Sequence, residues 1–120
     1  MLNNTYGYTR VYLVTGYTDL RKGVDNLAAM IKHSFELDPF EKDVLFLFCG
    51  RRSDRIKGLL WEGDGFLLLY KRLASGSFKW PRTQQEALSI TMEQYHLLMG
   101  GFEVIARNPI RQISGPLELL

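Results

Sequence analysis

Apolar and polar positions follow two different periods along this chain, and the switches between them mark out the elements. Arg10-Val11-Tyr12-Leu13-Val14-Thr15 is β-branched and aromatic and stops at Gly16, which predicts a first strand. Leu20, Val24, Leu27, Ala28, Ile31 and Phe35 then recur at helical spacing, with Arg21, Lys22, Asp25, Asn26 and Lys32 outside the stripe. Thr18 or Asp19 stands where a cap is expected. Asp38-Pro39 ends this helix, because a residue before proline disfavours the α region. Val44-Leu45-Phe46-Leu47-Phe48-Cys49 is apolar without interruption, the pattern of a strand buried on both faces.

Two further strands are predicted over 56–61 and 66–73. Glu62-Gly63-Asp64-Gly65 joins them, and its aspartate followed by glycine marks a tight turn. Phe78-Lys79-Trp80, stopped by Pro81, reads as one more short strand, and residues 82–88 as a polar linker. Thr91 opens a second helix: Gln94 stands at capping-box spacing, Ile90 and Tyr95 at the staple positions, and Gly100-Gly101 at the end. The order β-α-β-β-β-(β)-α predicts an α+β fold with a mainly antiparallel sheet and helices packed on one face. The expected organisation is one domain: an arm over 1–9, a core over 10–106 and a tail over 107–120 that ends in Leu117-Glu118-Leu119-Leu120.

Composition narrows the chemistry. A chain of 120 residues holds one core, and 46% hydrophobic with 23% charged residues excludes wholesale disorder. No apolar run approaches the ~20 residues that span a bilayer, and the polar start (Asn3, Asn4, Thr5) lacks a signal peptide's apolar core. No membrane partner is expected, and the expected compartment is a reducing cytoplasm. The lone Cys49 excludes an internal disulfide. His33 and His96 stand 63 positions apart, so neither metal nor cofactor is expected.

Charge becomes informative only when resolved along the chain. The total is +2, yet residues 51–82 hold eight basic and three acidic side chains, a net of +5, which leaves −3 elsewhere. Such asymmetry is the footprint of a polyanion or of an acidic partner. Enzyme templates fail: there is no G-x-S-x-G, no H-E-x-x-H and no phosphate-cradling glycine loop that opens a helix. No catalytic residue is therefore assigned. Within the basic third, Phe66, Leu68, Tyr70 and Arg72 share one strand face; Leu67, Leu69, Lys71 and Leu73, the core-like set, share the other. Phe78-Lys79-Trp80 would add an exposed aromatic beside a cation. Aromatics flanked by arginine and lysine suit base stacking with phosphate neutralisation. The same pattern also describes an ordinary core with charged edges, and local pattern leaves both open.

The segments taken together carry a resemblance. Residues 11–27, with Gly16-Tyr17-Thr18-Asp19-Leu20-Arg21-Lys22-Gly23 at their centre, are the first part of it. Leu37-Asp38-Pro39-Phe40 and the run from Leu45 through Gly50-Arg51-Arg52-Ser53-Asp54-Arg55-Ile56-Lys57 follow in order. Leu60-Trp61-Glu62-Gly63-Asp64-Gly65-Phe66, Tyr70-Lys71-Arg72-Leu73 and Gly76-Ser77-Phe78-Lys79-Trp80-Pro81 complete it. In that order they resemble the TnpB-type accessory proteins of the insertion-sequence sixty-six (IS66) transposon family. The likeness covers about residues 10–81, and the helix after Thr91 matches the family's last helix. Leu20 stands where methionine is usual, and Phe102 onward follows the pattern poorly.

The resemblance implies a small bacterial protein, encoded beside a transposase, that assists movement of the element while the larger transposase does the recombination chemistry. Two partners follow: DNA at the element ends, and the transposase itself. A homodimer is left open. For DNA, Arg51, Arg52, Arg55 and Lys57 would neutralise phosphates, with Lys71, Arg72, Lys79, Trp80 and Arg82 assisting and Arg21 and Lys22 as additions. The alternative is a protein–protein adaptor that presents the same basic surface to an acidic partner, with the leucine-ended tail as an apolar anchor.

Overall fold

A computed structural model describes residues 9–104. Its elements are β1 (Arg10–Val14), α1 (Val24–Ser34), β2 (Val44–Cys49), β3 (Arg55–Trp61), β4 (Phe66–Arg72), β5 (Ala87–Ile90) and α2 (Met92–Met99). The five strands form one sheet in the order β4-β3-β2-β1-β5. β1 and β2 run parallel across the α1 connection, and every other pairing is antiparallel. The fold is α+β with a mainly antiparallel sheet. β2 lies at its centre, and all six of its residues are buried, as its unbroken apolar run requires.

The two helices lie on opposite faces of the sheet, which corrects the expectation of one shared face. Leu27 and Ile31 of α1 pack with Val14, Val44, Phe46, Phe48 and Leu59. Tyr95 and Leu98 of α2 pack on the other side with Val11, Leu13, Leu45, Leu47, Cys49, Ile56 and Leu60. The reason is the strand period. β1, β2 and the end of β3 are apolar at successive positions, so both faces have to be covered.

Local signals fare unevenly. Thr91 accepts from the backbone N–H of Gln94 at 3.0 Å and the Gln94 side chain accepts from Thr91 N–H at 2.8 Å, completing the expected capping box. α1 begins at Val24, later than its stripe suggests, and its cap residue Gly23 makes no side-chain cap bond. Asp19 instead accepts from the N–H and guanidinium of Arg21 and closes its own turn. The helix ends at Ser34, ahead of Pro39, where Glu36 turns left-handed at φ 55° and Leu37 N–H bonds the Ile31 carbonyl. In the β3–β4 turn the positive φ, 96°, belongs to Gly63, with the Glu62 N–H closing on the Gly65 carbonyl at 2.9 Å.

Residues 78–80 do not form a strand. Phe78 and Trp80 are buried under the α2 face without a strand ladder: Phe78 N–H donates to the Ser53 carbonyl in a loop at 2.7 Å, and Trp80 Nε1 to the carbonyl of Val14 at the end of β1 at 2.9 Å. The fifth strand, Ala87–Ile90, begins inside the predicted polar linker over 82–88 and runs to the second helix. β5 pairs with the free edge of β1, and Thr15 Oγ1 anchors its entry by donating to the Gln84 carbonyl at 2.7 Å and accepting from Glu86 N–H at 3.0 Å. Val104 packs against the α2-side core. Residues 1–8 of the expected 1–9 arm and the tail over 107–120 lie outside the described residues.

Candidate nucleic-acid interface

The parallel strands β1 and β2 end on the same side of the sheet, and their exit loops meet: Thr18 N–H donates to the Cys49 carbonyl at 2.8 Å. These loops carry the Thr18-Asp19-Leu20-Arg21 and Gly50-Arg51-Arg52 sequences. Leu20 rests on Gly50 so closely that a Cβ there would meet Leu20 Cγ at 3.2 Å, so glycine lets the loops close together. Together with β3 and β4 they bound an open groove of about 1010 Å³. Its lining includes Arg21, Arg51, Arg52, Arg55 and Lys57, with Tyr17 and Tyr70 as aromatic walls and Asp19 as the acidic member.

The hairpin explains why the groove is cationic on the face that α1 covers elsewhere. Leu59 and its cross-strand partner Leu68 belong to the α1 core. One step outward on the same face Lys57 opposes Tyr70, and one further Arg55 opposes Arg72. The face thus changes from apolar to cationic along β3 and β4, where α1 no longer covers it. Lys57 turns inward, with Nζ donating to the Lys22 carbonyl at 3.0 Å.

Two of the cations carry carboxylates. Arg21 forks onto Asp19, with Nη2 to Oδ2 at 2.8 Å, and these hydrogen bonds hold the Asp19 carboxyl well below the usual range. Arg55 holds Asp54 through Nε at 3.0 Å; the Asp54 bond first, and then Tyr70, raise the Arg55 guanidinium's pKa. Among the described residues the ion pairs at the groove are these two, and Arg51, Arg52 and Lys57 have no carboxylate within salt-bridge distance. Lys57 is instead bonded to the Lys22 carbonyl and Arg51 sits over the Tyr17 ring, so both keep their full charge at the groove.

The remaining predicted residues divide by position. Arg72 is exposed at the end of β4, beside Arg55 in the register. Lys22 supplies its carbonyl to Lys57 and does not line the groove. Lys71 shares its strand face with Leu67 and Leu69, which pack on the α2-side core, and so lies on the face opposite the groove. Lys79 is exposed between buried Phe78 and Trp80. Trp80 is 6% exposed with its indole N–H bonded, which corrects the expectation of an exposed stacking ring.

Arg82 is a brace. Nη1 donates to the Gly16 carbonyl at 2.7 Å, and Nη2 lies 2.6 Å from the Gly50 carbonyl and 3.0 Å from Ser53 Oγ. Its guanidinium and that of Arg51 sit over the Tyr17 ring, 5.0 and 5.2 Å from the centroid. Gln85 adds a bond from Nε2 to the Tyr17 carbonyl at 2.8 Å. Sequence reasoning missed Tyr17 as a wall; its place directly after the glycine that ends the first strand was the available sign.

Cys49 lies beneath these loops. Burial pushes its thiol up to about 11, with Arg82 opposing the shift, so it is neutral and poorly nucleophilic at neutral pH. Among the described residues no group of three or more histidine, cysteine or acidic side chains could hold a metal ion, and no helix is long and apolar enough to cross a membrane.

The family pattern for IS66 Orf2-like proteins matches residues 9–109. Two proteins of Sinorhizobium fredii are similar to the chain. The uncharacterized protein y4jC is 31% identical over 105 residues, covering 86% of this chain and 89% of its own. The uncharacterized protein y4hO is 35% identical over 94 residues, covering 78% and 81%. No solved structure matches the chain. The ordered motifs from Gly16 to Pro81 and the family pattern thus agree over most of the molecule, and the chain belongs to the IS66 Orf2-like family, the TnpB-type accessory proteins of transposition.

Proposed function

We propose that this protein assists transposition as a non-catalytic DNA-binding factor, gripping DNA at the element ends through the basic groove. The observation that supports this is the convergence of Arg21, Arg51, Arg52, Arg55 and Lys57 on one concave surface. Phosphate contacts of this kind position a protein on DNA without specifying sequence. With three to five phosphates neutralised, affinity should fall by roughly 1.5 to 2.5 decades between 50 and 200 mM salt. Fluorescence anisotropy with element-end DNA, in duplex and single-stranded form, tests the reading. Binding at low salt that is lost in an Arg51/Arg52/Arg55→Ala variant is expected. Absence of binding, or a variant that binds as well, overturns it.

A second reading, docking of the transposase, has its own support at the other end of the hairpin. Phe40 is 53% exposed and packs against Trp61 and Phe66, with ring centroids 5.0 and 5.2 Å away. An exposed aromatic seated among others is the type of residue that anchors protein interfaces. Co-purification of the two proteins without DNA, weakened by Phe40→Ser, is the expected result. Separation of the wild-type proteins on a sizing column would rule this docking out.

A further inference from the structure

The groove is a recess, and its shape bears on which form of DNA it takes. Reading a duplex through its major groove needs a protruding helix or β-ribbon that enters a cleft about 12 Å wide. Here the cations line a concavity of about 1010 Å³. That volume is at the top of the range for small-molecule clefts, with room for a few unpaired nucleotides. Proteins that take single strands join a cationic channel to aromatic platforms, because each base has a π-face to stack and each phosphate a charge to neutralise.

Both aromatic walls are exposed, Tyr17 at 57% and Tyr70 at 54%. They differ in what surrounds them. The Tyr17 ring is already approached by the guanidiniums of Arg51 and Arg82. Tyr70 stands on β4 with Lys57 as its cross-strand neighbour on the same face and Arg55 one step further along that face of β3. Its ring is thereby held beside a cation at the groove wall.

Resting on the DNA-binding reading, we infer that the groove takes unpaired DNA, with a base stacked on Tyr70 and adjacent phosphates held by Arg51, Arg52 and Lys57. Tyr17 serves as the support that aims Arg51. The full-length protein is titrated with labelled oligo(dT) and with a duplex of equal length, for the wild type, Tyr70→Leu and Tyr70→Phe, each first checked for an unchanged thermal midpoint. Oligo(dT) is expected to bind roughly tenfold or more tightly than duplex, the scale of one stacked base. Tyr70→Leu should abolish that preference, and Tyr70→Phe, which keeps the ring and loses only the hydroxyl, should retain it. Duplex binding equal to or tighter than oligo(dT), or a Tyr70→Leu variant that binds oligo(dT) unchanged, overturns this inference and leaves DNA binding standing. Tighter binding of oligo(U) than of oligo(dT) overturns the assignment to DNA. If neither DNA form binds, both readings fall.

Discussion

Arg82 shows how a charged side chain acquires a role that its residue type does not announce. In the chain it is one of eight basic residues in a basic third. In the fold its guanidinium sits between the β1 and β2 exit loops and spends its donors on carbonyls at Gly16 and Gly50. Arg82 is itself exposed, and its bonds to Gly16 and Gly50 are exposed and part-buried, so each contributes about 0.5–1.5 kcal/mol. Arg82→Met, which keeps much of the apolar stem, is expected to cost about 1–3 kcal/mol in a chemical denaturation series. It should also weaken DNA binding, since the loops it ties carry Arg51 and Arg52. A variant with unchanged stability would show that the brace is dispensable. Trp80 is the companion case: its aromatic body fills the core and its indole N–H caps the Val14 carbonyl, so neither part remains for a ligand.

At the scale of elements, local chemistry was legible where the partners lie within a few residues. The capping box of α2 needs only Thr91 and Gln94, and the staple residues Ile90 and Tyr95 are both buried in the α2-side core. Thr91→Ala removes the cap acceptor and should cost about 0.5–2 kcal/mol by thermal or denaturant unfolding. Thr91→Ser should restore most of it. β2 was legible because a strand buried on both faces needs an unbroken apolar run. The start of α1 was not: the stripe from Leu20 is genuine packing, but Asp19 satisfies Arg21 and delays the helix to Val24. β5 was hidden for a similar reason. Ala87-Leu88-Ser89-Ile90 is short and weakly patterned, and it becomes a strand because β1 offers an open edge and Thr15 fixes its entry.

Across the whole molecule the β3–β4 hairpin carries two different surfaces. Its turn end, at Trp61 and Phe66, bears the aromatic patch with Phe40; its far end, at Arg55 and Arg72, opens on the basic groove. Seven-residue strands at about 3.3 Å per residue put these ends roughly 20 Å apart. Sites at that separation behave independently. The Phe40→Ser change should therefore leave the anisotropy titrations untouched, and the triple arginine variant should leave co-purification untouched. Two cores, one on each face of the central β2, give the sheet the support that keeps both ends in place.

By itself, the sequence determined the α+β class, the central buried strand, the second helix with its cap, the basic middle third and the family. Each depends on neighbours in the chain or on ordered motifs. Only the tertiary structure decided that the helices take opposite faces, that residues 87–90 complete the sheet, and that Trp80 is core. It also decided which cations face one another. Arg21 and the segment carrying Arg51, Arg52, Arg55 and Lys57 are two separate stretches of chain, and the β1–β2 crossover brings them to one groove, with Tyr70 added by the β3–β4 register. The same register sends Lys71 to the opposite face, because side chains on a strand alternate and charge alone carries no record of which face it will take.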